Sequence, residues 1–118
     1  MRIRLVALTA VGALVLAAVA GAMSTSRLTG TVGPGYTISL KSKSKSVKTL
    51  KKGKYTFVVS DKSGIHNFTL DGPGIQDKTL TGTSFVGTKT VTVSLKKTGS
   101  YKVYCTLHPF MVQKFKVS

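Results

Sequence analysis

The chain has 118 residues, with 18 Lys+Arg against 3 Asp+Glu, a formal net charge of +15, one cysteine and no tryptophan. That length gives room for one domain, and a folded part of roughly 95 residues buries somewhat over 60% of its unfolded surface, enough to fold without disulfide staples. A lone cysteine excludes a disulfide framework, and the charge attracts anions of any kind: lipid head groups, acidic polymers, nucleic acid or an acidic protein.

Residues 1–22 have the three parts of a secretory signal: Arg2 and Arg4, an apolar run from Leu5 to about Ala20, and the small residues Ala20-Gly21-Ala22. Cleavage after Ala22 is predicted, which places the protein in the periplasm, the cell envelope or outside the cell. The alternative is an uncleaved leader that anchors the chain in a membrane, although the run is slightly short of the about 20 residues a spanning helix needs. Because no cysteine directly follows the run, the simplest bacterial lipid anchor is excluded.

Residues 23–35 are small, polar and glycine-rich and predict a flexible N-terminal arm. From Tyr36 a period of two begins, so that Tyr36, Ile38 and Leu40 share one face of a strand, and the folded domain is expected over 36–118. Lys41 to Ser46 alternates lysine and serine with no apolar face, which predicts a solvated loop or sheet edge. With Lys48, Lys51, Lys52 and Lys54 it offers either solubility or contact with an anionic surface. Nucleic acid is not expected there, since the run has no interleaved aromatics for stacking and no arginine for base contacts.

Tyr55, Phe57 and Val59 predict a second strand, ending at the turn-prone Asp61-Lys62-Ser63-Gly64. His66, Phe68 and Leu70 share a face of a third strand, which stops at Asp71-Gly72-Pro73-Gly74. Residues 75–88 predict at most one short strand, around Leu80. Val91, Val93 and Leu95 follow as a strand, then a hairpin-like turn at Lys96-Lys97-Thr98-Gly99. In the next strand Tyr101, Val103 and Cys105 oppose Lys102 and Tyr104, so Cys105 should point inward. Phe115 and Val117 make the last strand. Short alternating strands without a helical period indicate an all-β antiparallel sandwich or small barrel.

The chemistry gathers at the end of the chain, where Cys105, His108 and Met111 lie within seven residues, while the only other histidine, His66, is far upstream. Thiolate, imidazole and thioether together are the donor set that copper cycling between Cu(I) and Cu(II) favours, with His66, Cys105 and His108 in a trigonal plane and Met111 as a long axial ligand. Zinc accepts Cys and His but gains little from a thioether. A Cys-His nucleophile would lack a clearly placed third member and a helix N-terminus to activate the thiol, so no catalytic residue and no enzymatic activity are expected.

Gly64-Ile65-His66-Asn67-Phe68 and the segment from Gly99 to Met111, with its Cys-x2-His-x2-Met spacing, resemble the cupredoxin family of blue (type 1) copper proteins, in its small exported bacterial form. The resemblance covers about residues 35–118. It implies a Greek-key β-sandwich, one copper per chain held by His66, Cys105, His108 and Met111, and one-electron transfer with a redox partner protein. It further implies that Asn67 braces the cysteine loop and that Leu107, Pro109 and Phe110 surround His108 as the docking patch of a monomer. Many members have glycine two residues after the methionine, where this chain has Gln113. A copper carrier or storage module would need the same ligands, and an adhesion-like domain using its lysine face would need none of them.

Overall fold

A computed structural model describes residues 25–118; the expected leader, residues 1–22, lies outside them. Among the described residues there is no helix. Ten strands form two five-stranded sheets: β1 (Ser26–Val32), β2 (Ile38–Ser42), β3 (Lys45–Ser46), β4 (Thr49–Leu50), β5 (Gly53–Asp61), β6 (Phe68–Gly72), β7 (Ile75–Thr81), β8 (Gly87–Leu95), β9 (Gly99–Tyr104) and β10 (Val112–Val117). The first sheet runs β3-β2-β1-β5-β8 and the second β4-β10-β9-β6-β7.

Alternation builds the sandwich. Along β5 the side chains of Tyr55, Phe57 and Val59 are buried while Thr56, Val58 and Ser60 are only partly covered, and β9 repeats the pattern with Tyr101 and Val103 inward. Their inner faces meet in one core that includes Leu28, Leu40, Phe57, Phe68, Leu70, Leu95, Val103 and Phe115. Each fully buried side chain of this size contributes roughly 1.5–3 kcal/mol from apolar transfer.

Three expectations need correction. Residues 26–32, assigned to a flexible arm, form β1 in the middle of the first sheet, with Leu28 and Val32 fully buried, so the domain begins well before residue 36. Gly30 is there for packing: a Cβ at that position would lie 2.7 Å from Cζ of Phe68 in the opposite sheet. Second, the pairing is not wholly antiparallel, because β1 pairs with β5 and β10 with β4 in parallel. Such pairs join strands that are not sequence neighbours, so no hairpin signal announces them. Third, Tyr36 does not face the core with Leu40. It precedes β2 and is 59% exposed.

One shorter stretch also differs. β7 is a seven-residue edge strand whose first five residues are partly or fully exposed, which hides its alternation. The lysine-serine run is the solvated sheet edge its sequence predicts: the end of β2, a tight turn with positive φ at Lys43 and Ser44, and β3. Lysine on an edge strand discourages pairing with another chain.

Connections 33–37, 62–67, 82–86 and 105–111 gather at one end of the sandwich, and 51–52, 73–74 and 96–98 at the other. The first end holds the site.

Candidate metal centre

β9 and β10 are adjacent and antiparallel, with Tyr104 opposite Val112, so the chain between them must reverse within a short loop. Three backbone bonds close it: the Cys105 amide donates to the Met111 carbonyl (3.1 Å), the Met111 amide to the His108 carbonyl (2.8 Å) and the His108 amide to the Cys105 carbonyl (3.3 Å). Cys105 and Met111 are thereby held side by side, both buried, while His108 is partly exposed. His66 sits two residues before β6 rather than on it, in the β5–β6 connection, where its amide donates to the Ser63 carbonyl at 3.4 Å. It is fully buried.

The connections bring His66, Cys105 and His108 together across about 40 residues of sequence. The two Nδ1 atoms are 3.0 Å apart, and Cys105 Sγ lies 3.8 Å from that of His66 and 3.7 Å from that of His108. A circle through three atoms so spaced has a radius of about 2 Å. That fits bonds of about 2.0–2.1 Å from imidazole nitrogen and comes near the about 2.3 Å of a thiolate. The donors therefore fit a single metal ion, and a soft sulfur with two imidazoles suits copper or zinc rather than calcium or magnesium.

Several neighbours hold the donors in place. His66 Nε2–H donates to the Gly35 carbonyl at 2.9 Å, which leaves the Nδ1 lone pair directed at the cluster, the tautomer a metal ligand needs. Gly35, at φ +75°, turns the β1–β2 connection so that this carbonyl can reach. The segment that resembled a linker is thus part of the site. Asn67 clamps the cysteine loop from both sides of its amide: Oδ1 accepts from the Thr106 amide at 2.9 Å, and Nδ2 donates to Thr106 Oγ1 at 2.7 Å.

Gln113 proves to be a structural tie. Its Oε1 accepts from the Leu40 amide at 2.9 Å, and its Nε2 donates to the carbonyls of Leu40 (2.9 Å) and Val47 (3.1 Å). Two residues beyond Met111, it fastens the start of β10 to β2 of the other sheet. Sequence alone could not have found this role, since the partners are backbone groups more than 60 residues away.

Aromatic rings cover the outer side of the histidines. Tyr36 packs edge-on to His66 (centroids 5.2 Å apart) and His108 (5.1 Å), and Phe110 lies 6.0 Å from Tyr36 and 5.9 Å from His108. Tyr36, Ile65, Val86, Leu107 and Phe110 are all exposed, and all belong to the connections at this end. Of these, only Leu107 and Phe110 were anticipated. On the outer face of β9, Tyr104 donates to the Asp77 carboxylate, and that bond, followed by partial burial, pushes its phenol up to about 12.

No protein-family model and no curated protein matches the sequence. Among solved structures, a Cu(I) form of an amicyanin mutant is similar at 18% identity over 79% of this chain and 83% of that chain, with a TM-score of 0.48. An oxidized amicyanin mutant gives 17% identity, 85% and 88% coverage, and 0.49. A multi-copper oxidase from Pediococcus acidilactici gives 12% identity and a TM-score of 0.53 over 81% of this chain but only 27% of that chain. At that identity the oxidase likeness speaks to the fold. The chain is a two-sheet β-sandwich of the cupredoxin fold, with a His-Cys-His cluster at one end.

Proposed function

We propose that the protein is an exported one-electron carrier in which His66, Cys105 and His108 would hold one copper ion, with Met111 as the fourth donor. The observation that supports this most is the convergence of two Nδ1 atoms and one Sγ on a circle of about 2 Å radius. Copper held there would supply one-electron chemistry between Cu(I) and Cu(II). The protein's part is to fix the donors, and the bonds of Gly35, Asn67 and the 105–111 loop keep the ligand positions from shifting between the two states. Water is kept from Cys105 and His66, both fully buried.

His108 is the way in and out. It is the partly exposed member of the cluster, and the apolar surface of Leu107, Pro109 and Phe110 around it suits a redox partner protein that brings its own centre close to this imidazole. The Lys41–Lys54 region, on another part of the surface, supports contact with an anionic body. A copper carrier or storage module uses the same donors, and what separates the two readings is whether Cu(I) is surrendered to an acceptor.

Adding Cu(II) to the purified protein and recording its visible spectrum tests the proposal. An intense thiolate-to-copper band that vanishes in Cys105→Ser is the expected outcome, and a colourless wild-type protein overturns the electron-transfer reading. Rapid loss of Cu(I) to a chelating acceptor protein, with slow electron self-exchange, would assign the carrier role instead.

A further inference from the structure

Charge is segregated along the long axis. The four connections that form the metal-site end contain a single charged residue, Lys62. At the opposite end, exposed Lys51 and Lys52 enter β5, and exposed Lys96 and Lys97 leave β8. Gly53 pairs with Leu95, so these two lysine pairs sit on neighbouring turns. Lys97 also packs over the third turn of that end, its Cδ 3.3 Å from where a Cβ on Gly74 would stand. The exposed acid Asp77 faces sideways from β7 and is occupied by Tyr104, and Asp71 stands across from Lys102 on β9.

The direction of the chain adds a second, independent observation. β1 runs parallel to β5 with Ser26 opposite Tyr55, and Thr25 Oγ1 hydrogen-bonds to Thr56 Oγ1 at 2.8 Å. The described chain therefore begins at the lysine end, directly after a sequence that carries the apolar run Leu5 to about Ala20. Where the leader is retained, its apolar run would therefore join the chain at the polybasic end, the combination that binds bilayers containing anionic lipid.

We propose that this lysine-rich end docks on an anionic lipid bilayer, with the apolar, nearly uncharged metal-site end directed away from it. β5 and β8, nine residues each, separate the two ends by about 30 Å at roughly 3.3 Å per residue. A docked molecule thus presents His108 and its surrounding apolar surface to a partner arriving from the aqueous side. The proposal concerns the surface alone and stands whether or not the site takes copper.

The test is cosedimentation of the full chain with phosphatidylcholine vesicles and with vesicles containing phosphatidylglycerol. Any contribution of the leader is common to both, so their difference reads the charged end. At about 1 kcal/mol per lysine near the surface, wild-type should bind the anionic vesicles at least about tenfold more tightly. Lys51→Gln with Lys52→Gln, or Lys96→Gln with Lys97→Gln, should each remove about half of that difference on a logarithmic scale, while the equally charged control Lys62→Gln with Lys89→Gln should keep it. Equal binding to both vesicles, or equal loss in test and control variants, overturns the proposal. Soluble polyphosphate that binds more tightly per charge than the vesicles, and releases the protein from them, also overturns it by assigning this end to an anionic polymer.

Discussion

The two histidines of the cluster are 3.0 Å apart at Nδ1, yet they belong to unlike surroundings. His66 is fully buried, its second nitrogen bonded to Gly35 and its neighbour Asn67 clamped to the cysteine loop. His108 is partly exposed, and the rings packed on it, Tyr36 and Phe110, are themselves exposed. One side of the site is built into the core and the other is laid open. A centre that must keep its geometry while exchanging something with a partner needs both: rigidity where no partner comes, and a short apolar path where one does.

If the closed side carries the stability, substitutions there should cost far more than those on the open side. The largest effect is expected for His66→Ala, which leaves a cavity where a fully buried ring stood. About 3 kcal/mol of unfolding free energy should be lost in the metal-free protein, read from urea denaturation. Asn67→Leu comes next, at about 2 kcal/mol, because it strips the Thr106 amide of its acceptor; the same melts measure it. A loss as small as that of a surface substitution would show that the clamp is dispensable.

Gln113→Leu removes three bonds between the sheets and should cost about 1–2 kcal/mol, discounted because the side chain is only partly buried. With copper bound, this variant should also perturb the visible spectrum, since the β10 tie lies two residues from Met111. A stability change with an unaltered spectrum would make Gln113 a fold residue only. His108→Ala should change the stability of the metal-free protein by no more than about 0.5 kcal/mol, as expected of a residue at the surface. If it costs as much as His66→Ala, the contrast between the two sides is wrong.

The cysteine loop was the more legible part of the site in the sequence. Cys105, His108 and Met111 are close in the chain, and period two in Tyr101, Val103 and Cys105 placed the thiol inward, as found. The closed side depends on partners that no local pattern announces. Gly35 lies in a stretch whose composition reads as linker, yet its usefulness is a positive φ and one carbonyl. β1 was missed for a similar reason: Gly30 is small because the Phe68 ring lies against it, and its pairing with β5 is parallel and remote in sequence. Tyr36 fits the period of two that leads into β2, but the turn before β2 rotates it to the surface beside both histidines. Periodicity reports which residues face a core. It says little about which backbone carbonyl reaches a side chain.

The central claim is that two imidazoles and one thiolate act together on one ion. X-ray absorption at the copper edge of the copper-loaded protein tests it most directly. The account predicts two nitrogen scatterers at about 2.0–2.1 Å and one sulfur near 2.3 Å, with the sulfur lost in Cys105→Ser. A shell of nitrogen and oxygen alone in the wild-type protein would contradict it.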